Sequence, residues 1–514
     1  MRRRIVLLAI AVLMLTVLFR FSRLPVSLGP AGATFGPAEE AGVVRPLRER
    51  LGVNVVYANV PADVARVAGW VRDYHRWYWY ETERDRLTWH SGKQRLDQFY
   101  AALKDLGVPV MVNVGMVPAW ASSNGANSGL PHSKGVSGSK PVDYRAHSEY
   151  IGQLAARYGS AGHNAGLRST DGLSGMASVK AIEGWNEPNQ NWAQPRFAAS
   201  AFAAMVQADY DGAGMQARAE SPLLGIKQGD PTMLGVLPGL AGPDVAYLDQ
   251  ANAVWKGAGR LPFDALNFHW FAKGQAGSGG KAPEAGGLMD VLQGMKQWRD
   301  RAAPRVPIWL TEFGWDTGSR GGGHSSPLYA PEATAANYLI RATMIALANG
   351  VDRVFVFTYR DNDSDSAELY STAGLVENTN ARDGEDSRKK AGWYALATLQ
   401  QLLGSMTLQG VVRQGDGEPA VYAYRWGEPG GQRQALVAWV RNPRVERDDG
   451  TTLDGHELLV PEAVEALVTT LGVASATGSQ RPVEVSSPGL SGATVRLSLS
   501  EAPVIIEYRK GHSR

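Results

Sequence analysis

Residues 179–189, Val-Lys-Ala-Ile-Glu-Gly-Trp-Asn-Glu-Pro-Asn, run from a short apolar stretch into two polar residues and a proline. A strand buried on both faces reads as such a run, and a proline, lacking a backbone donor, ends its ladder. The segment therefore reads as a buried parallel strand, Val179 to Trp185, that finishes by presenting Asn186 and Glu187. Three similar runs precede it, at Val53 to Tyr57, Tyr74 to Trp79 and Val108 to Val114. Four follow, at Gly235 to Leu237, Phe263 to His269, Val306 to Thr311 and Arg353 to Thr358.

Helix-like patterns separate these runs, at Pro61 to Val71, Gly92 to Leu106, Pro195 to Gly212, Pro243 to Trp255, Gly286 to Ala302 and Pro331 to Asn349. Several open on proline, which a first helical turn tolerates because the N–H it lacks had no partner there. Eight βα steps over about 350 residues predict an α/β fold, either a closed (β/α)8 TIM barrel or a doubly wound sheet. No GxGxxG follows the first strand, which weighs against the dinucleotide-binding form of the latter. Long polar segments follow the third, sixth, seventh and eighth strands, at Pro118 to Asp143, Ala272 to Pro283, Asp316 to Pro327 and Arg360 to Ser387. All lie at the carboxyl ends of strands, where barrel enzymes build their sites.

After a closing helix from Lys389 to Leu403 the pattern changes to short alternating runs, at Ala420 to Trp426, Gln434 to Val440, Thr494 to Leu499 and Pro503 to Tyr508. These predict a small β-sandwich. The expected order is a signal peptide or membrane anchor over 1–30, a linker over 31–45, the barrel over 46–404 and the sandwich over 405–514. The first segment rests on Arg2, Arg3 and Arg4 followed by an apolar stretch from Ile5 to Phe19, the charged-then-apolar order of an export signal. Ala31-Gly32-Ala33 resembles a cleavage site but lies far from the stretch, so a cleaved signal and an uncleaved inner-membrane anchor both stay open. Either predicts a periplasmic or extracellular protein.

Composition narrows the chemistry. The 514 residues carry a formal net charge of +2 without a long basic run, which argues against nucleic acid as a partner. There is no cysteine, hence no disulfide, thiol nucleophile or thiolate-bound metal, and none of the nine histidines falls in an HExxH spacing. No cofactor and no metal is expected.

A second strand end matches the first: Ile308-Trp309-Leu310-Thr311-Glu312-Phe313-Gly314-Trp315 places Glu312 at the end of the seventh strand. Strands four and seven face one another across a barrel mouth, so Glu187 and Glu312 can converge. Cleaving a glycosidic bond needs one protonated carboxyl for the leaving oxygen and one carboxylate to attack the sugar or activate water. Two glutamates in different surroundings can supply both.

Asn-Glu-Pro at the fourth strand with Thr-Glu-Phe-Gly-Trp at the seventh resembles clan A of the glycoside hydrolases, most of all its family 39 and related bacterial exopolysaccharide hydrolases. The resemblance spans roughly residues 50 to 405. It implies a retaining hydrolase with Glu187 as acid/base, Glu312 as nucleophile and Asn186 as partner of the sugar 2-hydroxyl. It also aligns Trp120 with a ring bordering the sugar, His269 and Trp270 with a strand-six His-x-Tyr motif, and Arg72 with an arginine that supports the nucleophile. Phe271 departs from that motif, standing where a tyrosine would bond the nucleophile, and Tyr359 is the candidate for the missing hydroxyl.

Trp120, Trp192, Trp270 and Trp315 fall at or beyond strand ends, where flat rings can cover pyranose faces. They suggest several subsites and an endo-acting enzyme on a polysaccharide. Glu183 reads as structural. Asp361-Asn362-Asp363-Ser364-Asp365 invites a calcium reading but lacks the glycine and distant glutamate of an EF-hand, so a solvated loop facing substrate is favoured. The competing function is a glycan-binding or scaffolding protein of a polysaccharide synthesis or export system. Transglycosylation would share the covalent intermediate of hydrolysis.

Overall fold

The computed structural model describes residues 40–56, 61–89, 96–131, 144–161, 166–168, 171–191, 195–214, 223–275, 277–318, 325–378, 387–460, 463–472, 474–475, 478–489 and 492–510. The expected signal or anchor and most of the expected linker lie outside them. Among the described residues no helix is long and apolar enough to cross a membrane.

Nine parallel strands make the principal sheet: β1 (Leu51–Val55), β2 (Trp70–Arg76), β3 (Val110–Gly115), β4 (Val179–Glu183), β5 (Leu234–Val236), β6 (Leu240–Ala241), β7 (Leu266–His269), β8 (Ile308–Phe313) and β9 (Arg353–Val356). Their order is β5-β4-β3-β2-β1-β9-β8-β7-β6. β5 and β6 are successive pieces of one barrel position, since the bridge Val236↔Ala265 and the bond from Leu237 N–H to Ala265 O at 3.0 Å join β5 to the start of β7. With that junction the sheet curls into a (β/α)8-like barrel, and all eight expected strands are present. The second begins at Trp70, four residues before the expected Tyr74.

Around it run α1 (Pro61–Val67), α2 (Leu96–Asp105), α3 (Arg145–Tyr158), α4 (Ala199–Asp211), α5 (Gly225–Gly229), α6 (Val245–Gly257), α7 (Leu288–Ala302), α8 (Glu332–Ala348) and α9 (Ala391–Leu403). Local chemistry sets several ends. Asp244 caps α6 by accepting from Tyr247 N–H at 3.0 Å, and Gly212, at φ +80°, ends α4 in the left-handed conformation glycine adopts without strain.

The barrel interior is layered by the two-residue period of its strands. The lowest layer is apolar, with Trp70, Met111, Ala181, Leu234, Trp309 and Phe355 in one cluster. Phe355 fills space that only glycine leaves open: a Cβ on Gly52 would meet its ring at 2.3 Å. Two residues further along the strands the interior turns polar, with buried Asn54, Arg72, Asn113, Glu183, Asn267 and Thr311. That polar layer is the floor of the site.

The tail holds two antiparallel sheets. One is built from β10 (Thr407–Asp416), β11 (Ala420–Gly427), β12 (Arg433–Arg441), β14 (Ala463–Thr470), β15 (Ser479–Val483) and β18 (Val504–Lys510). The other is built from β13 (Thr452–Leu459), β16 (Val485–Gly489) and β17 (Gly492–Ser500). They share a core that includes Leu436, Val468 and Ile506 from the first and Leu458, Val495 and Leu497 from the second.

Candidate active site

Glu187 follows β4 in a left-handed conformation, φ +47°, with its N–H bonded to Gly239 O at 2.9 Å. A non-glycine residue adopts that backbone only where its surroundings impose it. Glu312 reaches the same space from β8 through an irregular register: Phe268 pairs with Leu310, but His269 pairs with Glu312. The extra residue is a bulge, which re-aims side chains so that adjacent Thr311 and Glu312 both approach His269. One carboxylate oxygen of Glu187, one of Glu312 and a ring nitrogen of His269 all lie within 4.8 Å of one another. Both glutamates are nearly enclosed, at 8% and 5% exposure.

Arg72, fully buried, organises this group. It donates to Glu183 at 2.7 and 3.2 Å, to Asn54 at 2.8 Å, to Glu312 Oε1 at 2.8 Å and to Asn186 Oδ1 at 2.7 Å. Burial opposes its charge, but Glu183, then Tyr74 and Glu312, outweigh that and hold it firmly protonated. Glu183 is thus more than a packing residue, being the main counter-charge of the residue that grips Glu312. With Asn186 Oδ1 fixed by Arg72, its NH2 is left as a donor.

Tyr74 donates a hydroxyl hydrogen bond to the same Glu312 oxygen. Burial pushes the Glu312 carboxyl above the usual carboxylate range and the nearby charge of Glu187 adds to this, while His269, Arg72 and the Tyr74 hydrogen bond pull it down.

A hydrogen-bond chain fixes the proton on the other side. Asn267 NH2 donates to Glu183 Oε1 at 3.1 Å, so Asn267 Oδ1 accepts from Thr311 Oγ1 at 2.7 Å. With its only proton so committed, Thr311 Oγ1 can only accept from His269 Nε2, at 3.1 Å. His269 Nδ1, 2.8 Å from Glu187 Oε1, then either accepts a proton from the Glu187 carboxyl or carries one itself. In both states the Glu187–His269 pair stores one proton beside the pocket. These bonds also bear on metal binding. The trio has the spacing of a cation site, and the fixed charge of Arg72 on Glu312 opposes a second cation there.

Of the remaining expected site residues, Trp120 is half-buried after β3, bonded through Nε1 to Glu81 O at 3.0 Å. Trp270 and Trp315 do not form a sugar platform. At 5% and 2% exposure they pack edge to face, 5.9 Å apart, with their indole N–H groups spent on Gly286 O and Lys281 O. Trp192 lies outside the described residues. Tyr359 does not reach Glu312: it is buried with its hydroxyl beside Trp393 and in the field of Asp63, on the helix side of the sheet. Tyr74, two residues beyond Arg72 and so on the same face of β2, supplies the hydroxyl that Phe271 lacks.

Phe271 instead packs on Tyr370 at 4.7 Å, from the loop after β9. Burial, then Glu187 and Glu312, push the Tyr370 hydroxyl up, which places it near both carboxylates. In the acidic stretch of that loop, buried Asp361 pairs with buried Lys390 at 2.7 Å.

No protein-family model matches the chain, and no curated protein matches its sequence. Solved structures match its fold. The catalytic domain of a family 30 glycoside hydrolase, xylanase C of Talaromyces cellulolyticus, matches with a TM-score of 0.56 at 13% identity, over 91% of this chain and 99% of that one. A family 30 subfamily 8 xylanase from Clostridium acetobutylicum gives 0.55 at 11% identity, over 92% and 99%. A family 51 α-L-arabinofuranosidase from Bifidobacterium longum gives 0.55 at 13% identity, over 92% and 100%. Identities this low carry the architecture alone. At that level they agree with the clan A resemblance, while its narrower likeness to family 39 rests on the motifs.

Proposed function

We propose that the chain is a retaining glycoside hydrolase with Glu312 as nucleophile and Glu187 as acid/base. The observation that carries this is that Glu187 and Glu312 reach the barrel mouth with one carboxylate oxygen of each within 4.8 Å of the other, an approach that favours the shorter of the two separations glycosidases use. Retaining enzymes hold their carboxyl groups about 5 to 5.5 Å apart, whereas inverting ones leave roughly 6.5 Å or more for a water. Glu312 Oε1, held by Arg72 and Tyr74, leaves the other oxygen to attack the anomeric carbon. The proton stored on the Glu187–His269 pair passes through Glu187 to the departing oxygen. Glu187, now a carboxylate, then takes a proton from water as that water attacks the same carbon and releases Glu312. Asn186 NH2 suits the sugar hydroxyl next to the reacting carbon.

A polysaccharide substrate, in particular a bacterial exopolysaccharide cut internally, fits the half-buried rings of Tyr78, Trp79 and Trp120 after β2 and β3. They offer an aromatic rim in place of Trp270 and Trp315. The charged-then-apolar start supports export to the periplasm or beyond. Trapping with a 2-deoxy-2-fluoro glycoside and peptide mapping tests the assignment, with the label expected on Glu312. Glu312→Ala and Glu187→Gln are expected to lower kcat by a hundredfold or more, on the order of what removal of an acid/base or nucleophile costs, with unchanged circular dichroism. Full turnover in both variants would refute it.

A further inference from the structure

Lys273 lies four residues beyond His269, in the loop that leaves β7. Its N–H bonds to Phe271 O at 2.9 Å, and the N–H of Gly274 bonds to Pro327 O at 2.8 Å. The turn is tight enough that a Cβ on Gly274 would meet Gly279 O at 2.0 Å. From this fixed backbone the exposed side chain sets its ammonium 5.2 Å from the centroid of the Tyr370 ring, the ring that packs on Phe271. Among the described residues no carboxylate pairs with Lys273 at ion-pair distance. Burial of part of its length weakens its hold on its proton and the field of Glu187 strengthens it, in keeping with its place in the loop that follows His269, which bonds Glu187 at 2.8 Å.

A surface lysine is ordinarily a solvated charge. This one sits on an aromatic ring in a tight turn of the loop that follows His269, and among the described residues no carboxylate pairs with it at ion-pair distance. That arrangement has the chemistry of a receptor for a substrate anion, with the ring stabilising the cation until the anion arrives. Building on the hydrolase assignment above, we infer that Lys273, seated on Tyr370, binds an anionic substituent of the sugar on the Glu187 side of the scissile bond, so that the substrate is an acidic polysaccharide. A uronate carboxylate and a sulfate ester both present such an anion.

The test uses full-length protein carrying Glu312→Gln to prevent turnover. It is titrated with glycans in matched pairs, a uronate glycan beside its carboxyl-reduced form and a sulfated glycan beside its desulfated form. An acidic member is expected to bind about tenfold tighter than its neutral counterpart, the worth of one charge-assisted hydrogen bond. The preference should weaken with salt, vanish when Lys273→Gln is added and persist with Lys273→Arg. The pair that shows it tells carboxylate from sulfate. Equal binding within every pair, no binding of any acidic glycan, or a preference that survives Lys273→Gln overturns the inference. Failure of the hydrolase assignment looks different: a Lys273-dependent preference in protein whose wild-type form releases no reducing ends.

Discussion

Arg72 makes five hydrogen bonds with no exposure to water, so deleting it or Glu183 strands a buried charge and disturbs the fold together with the site. Tyr74 is the better probe of the nucleophile, because Tyr74→Phe removes one hydroxyl and keeps the ring. The bond it donates favours the ionised form of Glu312 and lowers its pKa. Without it Glu312 protonates at higher pH, and the acid limb of kcat/KM should move up by about one unit, as a hydrogen bond to a charged group is worth roughly 1.5 kcal/mol or more. An unmoved limb would remove Tyr74 from the site. The two glutamates are legible in the sequence because each closes an apolar run that period and length mark as a strand. Tyr74 is hidden by an error of phase. With the second strand taken to start at Tyr74 instead of Trp70, its shared inward face with Arg72 cannot be seen. Tyr359 and Trp315 mislead for a related reason: adjacency to a strand end does not say whether a side chain turns into the mouth or under a neighbouring loop.

At the scale of elements, the loops after β8 and β9 are joined by Asp316 and by bonds between Thr317 and Thr372, among them Thr317 N–H to Thr372 O at 3.1 Å. Asp316, fully buried, accepts from Ser326 Oγ at 2.6 Å, from Tyr370 N–H at 3.0 Å and from Thr372 N–H at 3.1 Å. It therefore holds Tyr370, at φ +70°, against Phe271. Asp316→Ala leaves those donors unsatisfied at about 1 to 3 kcal/mol each. The amides of Tyr370 and Thr372 should then exchange hydrogen at least tenfold faster while amides in β1 to β4 keep their protection; unchanged exchange at both would show the tie to be idle. Loop order of this kind is set by long-range partners and leaves no local trace in the sequence. The barrel strands do leave one, since burial on both faces makes each a compact apolar run. Helix α3 leaves none: His147, Glu149, Gln153 and Arg157 are all buried, so the polar face that marks a surface helix is missing. In the tail, Pro482 in β15 and Pro488 in β16 break the alternating sequence pattern that β11 and β12 display plainly.

The barrel and the tail belong to one compact unit, residues 34–514, and their joint is polar as well as apolar. Trp426, Trp439 and Ile505 of the tail belong to the same buried cluster as the barrel helices. Above that cluster Arg341 of α8 binds Glu284 at 2.5 and 2.9 Å and Asp448 of the tail at 2.8 and 2.9 Å, and Trp439 Nε1 donates to Glu284 at 2.9 Å. The tail also braces the loop that carries Lys273, through the bond from Ala282 N–H to Glu446 O at 2.8 Å. The joint should respond to pH. Burial raises the Asp448 carboxyl to about 6, with Arg341 opposing and Glu501 and Glu284 assisting. The folded chain therefore takes up a proton at Asp448 between its ordinary value of 3.8 and about 6 that the unfolded chain does not. This contribution to stability is fully present below the lower value, declines as pH rises through the window and is flat above it. Asp73, raised by burial to about 6, acts in the same direction, whereas His75, lowered by burial to about 3, acts oppositely, so the net curve of the wild type is a compromise. Taking the difference between wild type and Asp448→Asn cancels both. In urea titrations from pH 4 to 7 the wild type should lose stability relative to Asp448→Asn as pH rises to about 6, and then run parallel to it. A constant difference across that range would mean that burial at the joint does not lift Asp448 above its ordinary value.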